Sequence, residues 1–209
     1  MTMRQEARDR RAMQIEAAAI AIVEEQGYAK ATMQAIARRA GASMETLYNW
    51  YGDRHGLFRA MIARNTEAGR AALIACLAGD ADSRRTLILV GELMLGVVTG
   101  DRSVMLARAA AADGTGELGR LIAELGRDTM MPMMGDLFRR IAREGWLAFD
   151  DADEAAETWL ALTVSNLQYR RIVCRLPQPG PDIIAARARD AIKRMERLYP
   201  PIAPPAAPQ

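Results

Sequence analysis

Proline is missing before position 132, cysteine occurs twice, histidine once, and aromatic residues make up only 5% of the chain. Each scarcity narrows the possibilities. The two cysteines, Cys76 and Cys174, lie far apart with no CxxC spacing, which leaves no disulfide framework and no thiolate metal cluster. They read as reduced core residues of a cytoplasmic protein, with a redox-sensing pair as the alternative. A lone histidine, His55, leaves no HExxH motif and no nucleophile–base pair, and no glycine-rich phosphate loop is present. The sequence therefore offers no basis for catalysis, a cofactor or a metal. Long apolar runs are lacking too. The longest, 87–98, is interrupted by Glu92 and is too short to cross a bilayer. Residues 1–11 are polar and arginine-rich, unlike a secretory leader, so no membrane partner is expected.

What is abundant is Ala, Leu, Arg, Glu and Met, all strong helix formers. No segment alternates apolar and polar residues at period two over a useful length, so the expected class is all-α. A length of 209 residues allows a sizeable core, with a small head on a larger body. Net charge is +2 but unevenly placed: residues 1–60 carry nine basic and seven acidic side chains, the remainder nineteen of each. The positive excess sits wholly in the N-terminal part, the sign a nucleic-acid partner requires.

Helical periodicity fills the chain. Ile15, Ala18, Ala19, Ile22 and Val23 form an i, i+3, i+4 stripe that Gly27 can end. Met33, Ile36, Ala37 and Ala40 form a second, short stripe, with Thr32 as cap and Gly41 as stop. Met44, Leu47, Tyr48 and Tyr51 form a third behind Ser43, and Asp53 caps a fourth through Leu57, Phe58, Met61 and Ile62. Further helices fit 83–99, 102–111, 116–145 with a kink at Pro132, 151–174 and 181–198. Pro177, Pro179 and Pro181 separate the last two, and the proline-rich 200–209 is expected to be a disordered tail.

The informative stretch is residues 32–51, TMQAIARRAGASMETLYNWY. Two very short helices meet across Ala40-Gly41-Ala42-Ser43, the layout of a helix-turn-helix whose second helix enters the major groove. On that second helix Leu47 and Tyr51 face inward, leaving Met44, Glu45, Thr46, Asn49 and Trp50 for a partner. A plain helical hairpin has the same pattern, although helices this short are unusual in ordinary bundles.

Residues 9–69 resemble the DNA-binding domain of the TetR family. The resemblance rests on Gly27-Tyr28, Thr32, Ile36-Ala37, Ala40-Gly41-Ala42-Ser43, Thr46-Leu47-Tyr48, Tyr51, Asp53-Arg54 and Leu57, in order and at these spacings. It implies an N-terminal three-helix head, joined by a fourth helix to a C-terminal helical bundle, in a homodimer that binds double-stranded operator DNA. By the same resemblance Thr32 caps the second helix and offers its hydroxyl to a phosphate, and Tyr48 and Arg54 bind phosphates. Thr46, Asn49 and Trp50 face the groove, Met44 and Gln34 lie at its edges, and Met33 and Ser43 complete the set. Glu45 replaces a commonly small residue and either accepts from a cytosine amino group or favours its own helix's dipole. Arg54 stands for the more usual lysine and His55 for an acidic residue, which makes His55 a surface or phosphate-facing group. Arg4, Arg8, Arg10 and Arg11 form either a DNA-contacting arm or an ordinary solvated helix start.

Beyond residue 80 the Gly145-Trp146-Leu147 turn, then Asp150-Asp151 capping a helix with Ala155, Ala156, Trp159, Leu160, Thr163 and Val164, resembles the AcrR/AefR-like C-terminal domain. That resemblance implies a domain over 80–199 that binds a small-molecule inducer and dimerises through 151–174 and 181–198; otherwise these helices bury only the monomer's own core. The candidate ligand contacts are Glu92, Met94, Met105, Met130, Met134, Trp159, Thr163 and Asn166, with core filling as the plainer role for each methionine. Glu92 either pairs with an internal arginine or faces the ligand. The expected function is a ligand-responsive transcriptional regulator, a repressor released from a palindromic operator. The alternative is a helical interaction protein or small-molecule binder that does not touch DNA.

Overall fold

The computed structural model describes residues 3–79, 81–174 and 176–201. Eleven α-helices and no strand occur among them: α1 (Met3–Gln26), α2 (Met33–Ala40), α3 (Met44–Tyr51), α4 (Arg54–Leu77), α5 (Ser83–Thr99), α6 (Asp101–Ala111), α7 (Glu117–Ile122), α8 (Asp128–Glu144), α9 (Ala152–Val164), α10 (Leu167–Cys174) and α11 (Pro181–Leu198). The chain is all-α, as its composition requires. Most of the expected tail, 202–209, lies outside the described residues.

Two long helices expected from periodicity are interrupted. Over 116–145 the kink comes as a π-helical turn, Ala123–Arg127, between α7 and α8, while Pro132 stays inside α8. Proline removes an N–H and crowds the carbonyl four residues earlier, and the wider π turn sits just ahead of that disturbed turn. Over 151–174 the helix breaks between α9 and α10 at Ser165, whose φ of 48° and ψ of −135° put a non-glycine residue in left-handed territory. No glycine or proline announces that break.

The chain divides into two compact units: 1–67 with 101–126, and 68–100 with 127–209. The boundary therefore falls inside α4, and α6 and α7 pack with the N-terminal unit. The reason lies in the first core. Ile15, Ala19, Ile36, Leu47, Leu57, Phe58 and Met61 cluster with Met105, Leu106, Ala109 and Leu118, so α6 and α7 close a core that four helices leave open. Glu16 is 1% exposed on the same inward face of α1, and it pairs with Arg102 of α6 and, at 3.4 Å, with Arg64 of α4.

In the second unit Leu73, Leu87, Val90, Phe138, Ile141, Trp159, Ile192 and Met195 form the core. α5 runs close against α11 because position 91 carries no side chain: a Cβ on Gly91 would lie 3.2 Å from that of Ala188. α8 is tied to α9 by the Arg139 guanidinium, which donates to both Asp153 oxygens at 2.9 Å.

Removing both arginines leaves the buried Glu16 charge uncompensated. The Arg64→Ala/Arg102→Ala double variant is expected to lower stability in urea titration by about 3 kcal/mol, more than either single change, with much of that recovered when Glu16→Leu is added.

Candidate nucleic-acid interface and sensor core

The turn between α2 and α3 is assembled from local signals. Thr32 Oγ1 accepts from the Ala35 N–H at 3.1 Å and caps α2. Gly41 adopts the left-handed conformation, φ 60°, that ends the helix without a Cβ clash. Ser43 Oγ accepts from the Thr46 N–H at 3.0 Å and caps α3, and it lies 2.8 Å from the Thr46 hydroxyl. Leu47 is fully buried and fixes which face of α3 looks inward. The opposite face presents Met44, Glu45, Tyr48 and Asn49, with Tyr48 52% exposed, beside exposed Thr32 and Gln34 of α2.

Not every expected contact residue lies on that face. Met33 is 7% exposed and belongs to the core, because the α2 stripe that starts with it is the buried one. Trp50 is half-buried: its ring packs against Tyr51, and the Arg8 guanidinium lies 5.3 Å from its centroid. Arg54 is half-buried with its guanidinium 4.4 Å above the Tyr28 ring, whose edge-on partner is Phe58. Tyr28 is buried, and that burial pushes its phenol above the ordinary value, with Arg54 opposing the rise.

The N-terminal arginines are part of a helix, since α1 already runs from Met3. Arg11 donates to the carbonyls of Ala40, at 3.0 Å, and Gly41, so it holds the end of α2 and the turn itself. Sequence reasoning gave no sign of this contact, which joins residues about thirty positions apart. Arg38 was also missed. It is exposed on the last turn of α2 with no hydrogen bond or ion pair among the described residues, whereas Arg39 beside it forks onto Glu25. Two adjacent arginines ending a short helix were the available signal.

His55 faces acidic groups rather than a phosphate position. Its Nε2 lies 3.8 Å from Asp113 Oδ1 and 3.6 Å from Glu117 Oε2. Asp113 is buried and caps the start of α7, accepting from the Leu118 N–H at 3.2 Å, the Thr115 hydroxyl and the Thr115 N–H.

The candidate ligand contacts separate into three groups. Met94, Met130, Met134 and Trp159 join the core of the second unit. Thr163, one turn after Trp159 on α9, is fully buried. Met105 lies instead in the core of the first unit, because α6 packs there. Asn166 is exposed at the break after α9. Glu92 is half-buried on α5 and, among the described residues, makes no hydrogen bond or ion pair, so of its two alternatives the pairing with an internal arginine is not made.

The profile for bacterial regulatory proteins of the tetR family matches residues 15–61, and that for the C-terminal domain of AefR-like transcriptional repressors matches 85–201. A TetR transcriptional regulator from Agrobacterium tumefaciens is 30% identical, with a TM-score of 0.68 over 95% of either chain. A TetR-family regulator from Mesorhizobium loti is 20% identical, with a TM-score of 0.73 over 91% of this chain and 97% of that one. The regulator FadR from Bacillus subtilis, solved in complex with stearoyl-CoA, is 15% identical, with a TM-score of 0.71 over 88% of this chain and 96% of that one. No curated protein matches. The chain belongs to the TetR family of bacterial transcriptional regulators, whose members are ligand-responsive DNA-binding repressors. No helix among the described residues is long and apolar enough to cross a membrane.

Burial alone would raise the Asp113 carboxyl. The hydrogen bonds from Leu118 and Thr115 outweigh it and, with the nearby His55, hold the group below its ordinary value. A carboxylate depressed in the folded state stabilises fully above its unfolded pKa and loses that contribution as pH falls through the folded one. Asp113→Asn is therefore expected to be less stable than the parent at pH 7 and to lose less of its stability on acidification, read from urea midpoints at both pH values.

Proposed function

We propose that this protein is a repressor that binds a palindromic operator as a homodimer and is released by a small apolar or amphipathic molecule. The observation that carries the reading is the exposed face of α3, capped by Ser43 and anchored by Leu47, with Met44, Glu45, Tyr48 and Asn49 outward. Asn49 suits bidentate pairing with adenine, and the Met44 methyl suits a thymine methyl. Tyr48, Thr32 and Arg38 supply hydroxyls and charge for phosphates on either side, and the N-termini of α2 and α3 add backbone donors. Arg54 has a second duty, since its charge rests on Tyr28, and it reaches a phosphate from that stacked position. Met33 has no place in the contact set.

Dimerisation is assigned to the C-terminal helices. Tyr169 and Val173 of α10 and Ile183 and Leu198 of α11 are large apolar side chains more than half exposed, a burden on a monomer and an asset at a two-fold interface. Two recognition helices about 34–36 Å apart then read successive major grooves. Release is a population shift: a molecule that binds one arrangement of the second unit better than another changes the operator affinity. Coupling of about 1–3 kcal/mol corresponds to roughly 5–150-fold weaker binding.

Selection of binding sites from random DNA with the purified protein tests the central claim, and a palindrome is expected. Against that site Tyr48→Phe and Arg38→Ala should weaken binding to all sequences, Arg38→Ala lowering the slope of log affinity on log salt by about one. Asn49→Ala should instead relax preference at one base pair, at a cost of about 1–3 kcal/mol. Wild-type affinity in the Tyr48→Phe/Arg38→Ala variant would remove these residues from the interface.

The interface makes a separate prediction. Full-length protein should be dimeric in light scattering, and Tyr169→Glu/Ile183→Glu should move it toward monomer and weaken operator binding together. A variant that remains dimeric would place the interface on another surface.

A further inference from the structure

Three polar atoms in the second unit have almost no contact with solvent and no hydrogen-bond partner: Trp159 Nε1, Thr163 Oγ1 and Arg187 Nε. They lie on α9 and α11, two helices that pack against each other. Trp159 and Thr163 are one turn apart on the same face of α9, 1% and 0% exposed. The far edge of the Trp159 ring, Cζ2, lies 3.4 Å from where a side chain on Gly91 of α5 would start, and Ala188 of α11 closes the same gap at 3.2 Å. Arg187, the residue before Ala188, reaches across to α9, where its Nη2 is 3.5 Å from the Val164 carbonyl. That distance is too long for a strong hydrogen bond. Immediately beyond Val164 the helix breaks at the strained Ser165.

An orphaned buried donor costs about 1–3 kcal/mol, so three in one helix interface require a reason. Their chemistry is one-sided. The indole and guanidinium nitrogens can only donate, and the threonine hydroxyl can donate as well. Arg187 also carries a charge that no carboxylate of the described residues neutralises at ion-pair distance. Strained backbone beside unsatisfied polar groups is a pattern associated with ligand clamps, where a bound molecule supplies what the protein withholds.

We propose that Trp159, Thr163 and Arg187 bind the anionic, acceptor-bearing group of the effector, a carboxylate or a group of like charge carried on an apolar body. The inference rests on reading the second unit as a sensor and names the chemistry that it senses. Glu92 is not among the proposed contacts. The three donors favour an anion, whereas a free carboxylate favours a cation.

Three probes with one body and different heads test it: 4-phenylbutyrate, 4-phenylbutan-1-ol and 4-phenylbutylamine, titrated calorimetrically into the full-length protein. The acid is expected to bind tightest. Thr163→Val, which removes only the hydroxyl, should weaken the acid by about tenfold while keeping or raising the melting temperature. Arg187→Gln should abolish the preference of acid over alcohol, and Trp159→Phe should weaken the acid more than the alcohol. Equal binding of the three heads, tighter binding of the amine, or an acid preference that survives both Thr163→Val and Arg187→Gln would overturn the assignment. Failure of every probe to bind would overturn it as well. Operator affinity without any probe, measured on the same samples, separates these failures from failure of the DNA-binding reading.

Discussion

Glu16 lies on the inward face of α1, nearly sealed from solvent, and its charge obliges two other helices to bring arginines to it. A buried carboxylate is tolerated only when paired, and the desolvation of an unpaired one is worth several kcal/mol. Arg64 comes from α4 and Arg102 from α6, so one acidic group fixes the approach of both helices to the first. The apolar contacts repeat the constraint, since Met105, Leu106, Ala109 and Leu118 complete a core that the short α2 and α3 cannot fill. The helix-turn-helix is consequently part of a larger unit, with α6 and the start of α7 as its inner wall.

Within that unit the recognition helix is held by several independent restraints. Ser43 sets its start, Leu47 sets its rotation, and Arg11 pins the carbonyls of the turn before it. An eight-residue helix has little stability of its own. Its rigidity comes from the surroundings, which leave Met44, Glu45, Tyr48 and Asn49 outward as a fixed pattern. Arg54 and His55, adjacent at the start of α4, are drawn to opposite chemistry: the guanidinium to the face of Tyr28, the imidazole to Asp113 and Glu117. The Arg54 stacking anchors the first turn of α4, the helix inside which the boundary between the two units falls.

The second unit follows a different logic. Its centre is apolar and close-packed, with Gly91 allowing α5 and α11 to touch, yet the same interface holds donors without acceptors. In a purely structural core such atoms would be replaced by carbon at a gain in stability. Their presence beside a broken helix marks the part of the chain where packing alone does not explain the residues. The methionines along α8 fill space and adapt to their neighbours.

The sequence by itself determined the helical class, most helix limits, and the caps of α2, α3 and α9, because those features depend on residues within one or two turns of each other. α5 and α11 start and stop where periodicity and proline placement put them. The pattern of Gly41, Ser43 and Leu47 also made the helix-turn-helix legible, since its turn and its buried face are local. Tertiary structure decided the rest. The i, i+3 stripe containing Met33 does not say how far burial extends, and nothing in the composition of α6 says that Met105 packs with the head. The break at Ser165 has no glycine or proline behind it, and the Glu16 ion pairs join residues 48 and 86 positions apart. These are properties of which surfaces meet, and a one-dimensional pattern reports only which surfaces each helix has to offer.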